Sequence, residues 1–135
     1  MPDKKKPVLL CLDLEDGSQQ LACKGADYAR QLNRPLHVLY VLPQSSSEAE
    51  GAAAERLREL TDRAFEGADA EVLAVRRGCV EDCIVDYLKE MDVDLVILGY
   101  RYKARRERVY VGSTVKTVIS LAPGPVLVVP IDGEK

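Results

Sequence analysis

The chain has no tryptophan, one phenylalanine (Phe65) and one histidine (His37). With aromatics this scarce, the core must be built from aliphatic side chains, and Val- and Leu-rich segments suit strands buried on both faces of a parallel sheet. Long apolar runs are missing as well. None approaches the ~20 residues that a membrane-spanning helix needs, and the most apolar stretch near the C-terminus is cut by Pro123, Pro125 and Pro130. Nor is there an excess of one charge sign: a formal net charge of −3 argues against a whole-protein attraction to nucleic acid. The basic cluster in residues 1–6 has no apolar segment before the first expected strand, so it reads as a tail rather than a secretory signal. Together these absences point to a soluble, cytoplasmic protein with no membrane partner and no expected nucleic-acid partner.

Four cysteines, Cys11, Cys23, Cys79 and Cys83, show no secreted-framework spacing. Cys79 and Cys83 are spaced to share a helix face rather than to form a disulfide. With His37 far along the chain, a zinc set is incomplete. The thiols therefore read as small buried hydrophobes.

What is present fits one globular domain over residues 1–135, at 47% apolar and 30% charged. Residues 7–13 form a continuous apolar run ending in Asp13, a buried strand with a carboxylate at its C-terminal edge. Turn and cap residues Asp16-Gly17-Ser18 follow, then Leu21, Ala22, Gly25, Ala26, Ala29 and Leu32 at helical spacing, stopped by Asn33 and Pro35. Leu36 to Leu42 is a second strand, and residues 48–65 have strong helix propensity up to Gly67. A third strand is expected over 70–76. A helix over 80–91 carries Val80, Ile84, Tyr87, Leu88 and Met91 on one face. Val93 to Leu98 is a fourth strand ending at Gly99. Gly112-Ser113-Thr114 opens a helix carrying Val115, Val118, Ile119 and Leu121, and Val126 to Val129 is a short last strand. Strands alternating with helices imply an α/β fold on a parallel sheet with right-handed crossovers.

Ligands of open doubly wound sheets bind at the carboxyl ends of strands, where the strand order reverses. If the first and fourth strands are neighbours, Asp13, Gly99 and Gly112-Ser113 converge on one crevice. A Gly-Ser pair at a helix N-terminus offers backbone N–H groups, a hydroxyl and the positive end of the helix dipole, which suits a phosphate. An ordinary helix cap is the plainer reading of the same pair.

Other nucleotide signatures fail on residues. No Gly-x4-Gly-Lys-Ser/Thr string exists, and Asp13-Leu-Glu-Asp-Gly-Ser18 stands where a dinucleotide fingerprint would need its glycines. A response-regulator receiver would need an acceptor Asp after the third strand and a Lys after the fifth. Arg76-Arg77-Gly78 and Pro130-Ile131 hold those places. His37 has no nucleophile or orienting acid in a recognisable arrangement and reads as structural.

The run Asp94-Leu-Val-Ile-Leu-Gly99, the nine residues between Tyr102 and Gly112, the pair Gly112-Ser113 and the tail Pro125-Val-Leu-Val-Val-Pro130 resemble the universal stress protein family over essentially the whole chain. The resemblance implies a doubly wound five-stranded parallel sheet of order 3-2-1-4-5 with helices on both faces. It also implies a site for ATP or a related adenine nucleotide. Gly99, Gly112 and Ser113 match the family's phosphate-binding positions, Val41 the position whose backbone meets adenine, and Asp13 the carboxylate near ribose and an associated Mg²⁺. Arg101 and Thr114 are secondary phosphate contacts on this reading. A homodimer through strand 126–130 is implied in the same way. No residue stands out as a general base, so weak ATP hydrolysis is the most catalysis expected.

Two departures qualify the match. Glu15 stands where the family often has a small hydroxyl residue, and Tyr102 holds the place of the motif's second glycine. Tyrosine supports neither positive φ nor close backbone approach. Two readings follow: Tyr102 closes the phosphate channel and leaves a nucleotide-free dimeric interaction protein, or it swings out and stacks on a base. The loop 101–108 holds five basic residues against one acidic. It reads as a solvated charge run, as a source of phosphate contacts, or as a patch for another polyanion.

Overall fold

The structure, a computed structural model, describes residues 5–65, 70–102 and 113–132, with the side chains of Arg101, Tyr102 and Asp132 excepted. The elements alternate as β1 (Val8–Leu12), α1 (Ser18–Leu32), β2 (Leu36–Leu42), α2 (Glu50–Ala64), β3 (Val72–Arg77), α3 (Val80–Glu90), β4 (Leu95–Tyr102), α4 (Ser113–Leu121) and β5 (Val126–Asp132). The strands form one parallel sheet in the order β3-β2-β1-β4-β5, as expected from the sequence.

Period-two alternation divides the core between the two faces. Val8, Leu10 and Leu12 of β1, with Val38, Tyr40 and Leu42 of β2, pack with Leu21, Ala22 and Leu57 of α1 and α2. Leu9, Leu39 and Val41 point the other way and pack with Ile84, Leu88, Val115 and Val118 of α3 and α4. All seven residues of β2 are buried, so its apolar run is what a two-faced strand requires. Fully burying each such Leu or Val contributes roughly 1.5–3 kcal/mol.

The helix ends follow local chemistry. Asn33 closes α1 in the left-handed region at φ 57°, and its N–H reaches the Ala29 and Arg30 carbonyls. Gly17, at φ 89°, supplies at the N-cap a backbone conformation that L side chains rarely adopt.

Several boundaries differ from the sequence reading. β3 is shifted to Val72–Arg77, α2 starts at Glu50 and ends at Ala64, and α3 stops at Glu90, leaving Met91 exposed beyond it. β4 does not end at Gly99, because Tyr100, Arg101 and Tyr102 continue the ladder opposite Pro130, Ile131 and Asp132. β5 correspondingly runs through Pro130. An edge strand tolerates proline because the missing N–H can face away from the single partner strand. Leu32, Ile119 and Leu121 are exposed, not core, since each lies past the stripe its helix turns to the sheet. Cys23 and Cys79 are exposed as well, so only Cys11 and Cys83 behave as partly buried thiols.

His37 is structural, as its isolation in the sequence suggests. It is buried near the N-terminal end of β2, the opposite end from the crevice described below. Its Nδ1 lies 2.8 Å from the Tyr87 hydroxyl and its Nε2 lies 2.9 Å from Glu71 Oε1. With the Glu71 carboxylate accepting from Nε2–H, Nδ1 accepts the Tyr87 O–H, an assignment that follows from the partners.

Candidate functional site

The strand order reverses between β1 and β4, and the carboxyl ends of these strands with β2 open into a cavity of about 590 Å³. Its wall takes Cys11, Leu12 and Asp13 from the end of β1, Leu39 to Val41 from β2, and Leu98 to Tyr100 from β4. The first turns of α3 and α4 complete it with Val80, Ile84, Ser113, Thr114 and Val115. Five residues picked out in the sequence, Asp13, Val41, Gly99, Ser113 and Thr114, therefore border one space. Gly112 and the loop 103–111 lie outside the described residues, as do the side chains of Arg101 and Tyr102. The Tyr102 backbone continues β4 opposite Asp132, an extended setting that does not itself demand a glycine.

Each wall residue has a local reason for its position. Asp13 follows the last residue of β1, and its Oδ1 accepts the Glu15 N–H and the Ser18 hydroxyl, both at 3.0 Å. These bonds brace a loop in which Leu14 sits at φ 61°, a costly conformation for a branched side chain. Gly99 has a packing reason to lack a side chain. A Cβ there would lie 2.7 Å from Leu21 Cδ2 and 3.2 Å from Ile131 Cδ1, on the α1 side of the sheet. Val41 is buried in β2, two residues before Pro43, which also lines the space. The loop after Pro43 is held by Arg77, which donates to the Ser46 carbonyl at 2.8 Å and to Glu50 Oε2 at 3.0 Å.

The far wall is mostly apolar, from Leu39, Val80, Ile84, Leu98 and Val115. The Cys11 thiol belongs to it, and burial pushes its pKa up, so it is a neutral surface rather than a nucleophile. Among the described lining residues the charged side chains are Asp13 and Glu15, both acidic. At the α4 end, Thr114 donates its hydroxyl to Glu81 Oε2 at 2.8 Å. That bond, with further bonds from the Glu81 backbone and Cys79, holds the Glu81 carboxyl below its ordinary range. Glu81, which does not itself line the space, is the partner of Thr114 that spacing in the sequence does not single out. Its place in the first helical turn after β3, at the carboxyl end of the sheet, is the signal that could have found it.

An apolar slot with a strand-end carboxylate on one side and a helix N-terminus on the other is a shape that takes a flat ring joined to a polar, anionic group. A family model described as the universal stress protein family matches residues 5–130. The chain belongs to the universal stress protein family. Solved universal stress proteins share its fold. UspA from Lactobacillus plantarum is 24% identical with a TM-score of 0.67, covering 95% of this chain and 99% of its own. A universal stress protein from Archaeoglobus fulgidus, solved in complex with dAMP, is 25% identical with a TM-score of 0.68, covering 93% of this chain and 98% of its own. Another universal stress protein, solved in complex with cAMP, is 20% identical with a TM-score of 0.72, covering 95% of this chain and 98% of its own. No curated protein sequence matches the chain. Among the described residues, no helix is long and apolar enough to cross a membrane.

Proposed function

We propose that this universal stress protein binds ATP or a related adenine nucleotide in the β1/β4 crevice and acts as a nucleotide-responsive regulator in a stress response. The observation that carries the reading is the cavity of about 590 Å³ bordered by Asp13, Val41, Gly99, Ser113 and Thr114. Small-molecule sites typically span roughly 300–1,000 Å³. Family members solved with dAMP and with cAMP support an adenine ligand. In this reading the base lies against Val41 and the apolar wall, Asp13 faces the ribose, and the phosphates meet Gly99, Arg101, Gly112, Ser113 and the backbone of Thr114. Any Mg²⁺ would arrive with the phosphates and meet Asp13 indirectly.

Calorimetric titration with adenine nucleotides and Mg²⁺, repeated on Gly112→Val, tests the reading. Heat of binding that is lost in the variant supports it. No heat with the native protein, or equal affinity in both, overturns it. The ultraviolet spectrum and mass of the denatured protein give a cheap companion test, since a chain without tryptophan leaves nucleotide absorbance conspicuous.

The same reading treats residues 1–135 as one cytoplasmic domain that forms a homodimer through β5. The edge position of β5 and the exposed Ile119 and Leu121 on the preceding helix support the dimer. A second reading, a nucleotide-free dimeric interaction protein, is favoured by Tyr102 in place of the motif glycine. It predicts that Tyr102→Gly creates ATP binding where the native protein has none, and nucleotide copurifying with the native chain would end it.

A further inference from the structure

The end of the crevice assigned above to the base is walled by two segments distant in sequence. One is Pro43, where the chain leaves β2, and the other is Val80 and Ile84 at the start of α3. A single side chain ties them together. Arg77, the last residue of β3, reaches back across the loop between β2 and α2. It donates to the Ser46 carbonyl at 2.8 Å, to the Glu48 carbonyl, and to Glu50 Oε2 at 3.0 Å. Its side chain is 23% exposed, so these bonds are less screened than those of a free surface pair. A planar guanidinium holds carbonyls and a carboxylate at once, and a lysine ammonium does not copy that fork. Beside it, the Gly78 N–H donates to the Leu42 carbonyl at 2.9 Å. The loop's own bonds are short-range: the Ser46 N–H donates to the Pro43 carbonyl at 3.0 Å and the Glu48 N–H to Ser46 Oγ at 3.1 Å. From α2, Arg56 holds the Glu48 carboxylate at 2.8 and 2.9 Å.

We propose that Arg77 is a positioning residue for the nucleobase: by holding the β2–α2 loop against the end of β3, it fixes Pro43 relative to Val80 and keeps the base slot formed before a ligand arrives. The inference rests on the adenine-nucleotide reading above and adds the residue that preforms one end of that site. Arg77 does not line the cavity, and it acts through the backbone of Ser46 and Glu48. A wall already ordered in the free protein is not ordered at the ligand's expense, so a preformed slot binds more tightly than a loose one. Freeing the loop's torsions and side chains is enough to weaken binding about tenfold. The effect belongs to the base and is independent of how many phosphates follow it.

The test compares the native protein with Arg77→Met, which keeps the stem and removes every donor, and with Arg77→Lys, which keeps the cation and guards against a folding defect in the first. Amide hydrogen exchange across residues 43–49, without ligand, reads the loop itself. Equilibrium dialysis with adenosine and with AMP, well below the melting temperature, reads the site. Exchange at Ser46 and Glu48 should be faster in Arg77→Met, and adenosine and AMP should both bind about tenfold more weakly, by equal factors. Arg77→Lys should fall between the native protein and Arg77→Met. Exchange unchanged in the folded variants overturns the proposal, because the loop is then held without Arg77. Faster exchange with unchanged affinity overturns it as well, since Arg77 would then serve stability alone. A loss confined to AMP also overturns it, because Arg77 would then act on the phosphate. If the native protein binds neither adenosine nor AMP, the adenine reading falls and takes the positioning role with it. If the native protein binds both and the variants match it, the positioning role alone falls.

Discussion

A Cβ added to Gly99 would lie 2.7 Å from Cδ2 of Leu21, closer than real Cβ contacts come. Gly99, proposed above as a phosphate contact, is therefore a packing residue, since α1 comes down onto β4 at this point. Leu21 is buried and lines the crevice, so its Cδ2 would have to turn out of its packed position to admit a methyl, with Ile131 Cδ1 at 3.2 Å on the other side. Gly99→Ala is expected to lower stability by about 1–3 kcal/mol, the usual cost of overpacking a core. Denaturant melts check this, and combining Gly99→Ala with Leu21→Ala should give less than the sum of the separate costs. Strictly additive losses would show that the two positions do not share the space.

Asp13 is expected to act on the loop as well as on a ligand. Asp13→Ala removes the acceptor for the Glu15 N–H and the Ser18 hydroxyl and leaves Leu14 at φ 61° without that brace. Its cost should be about 1–2 kcal/mol in chemical denaturation, from the lost bonds. Asp13→Asn keeps an acceptor oxygen and should recover much of that. Equal losses for the two variants would contradict the brace.

Tyr87→Phe tests the assignment of His37 as structural. It strips the partner from Nδ1 of a buried imidazole, which is expected to cost about 1–3 kcal/mol. Because the pair sits at the opposite end of β2 from Val41, adenine-ligand affinity should not change. A folded variant with altered affinity would argue for coupling between the two ends of the sheet.

The Glu81 carboxyl is held below its ordinary range, chiefly by the Thr114 hydroxyl. A carboxyl lowered in the folded state stabilises the protein above its unfolded pKa, and that contribution fades as pH falls through the folded value. The native protein should therefore lose stability relative to Glu81→Gln as pH drops below the ordinary glutamate value of about 4.3. The group is only partly buried and is screened by solvent, so the difference should stay under about 1 kcal/mol. Melting curves across the acid range check the sign, and a native protein that gains stability relative to Glu81→Gln as pH falls would contradict it.

Much of the fold was legible in the residues. The two-sided apolar run of β2, the cap and stop residues around α1, and the strand-helix alternation define five parallel strands, because periodicity and turn chemistry are local properties. Boundaries were less legible. β4 continues past Gly99 and β5 through Pro130 because each is completed by the other, and ladder bonds between distant segments leave no mark in either sequence.

The candidate site divides along the same line. Asp13, Val41, Gly99, Ser113 and Thr114 could be chosen from their spacing and from resemblance to a family, since a motif is written in consecutive residues. The double engagement of Gly99 with Leu21, and the Thr114 hydroxyl given to Glu81 across a separation of 33 residues, were decided only when α1, α3 and α4 packed onto the sheet. Sequence alone determined which elements form and at which strand ends a crevice opens. Tertiary packing decided which neighbours Gly99 and Thr114 meet, because electrostatic and steric neighbours are set by distance in space.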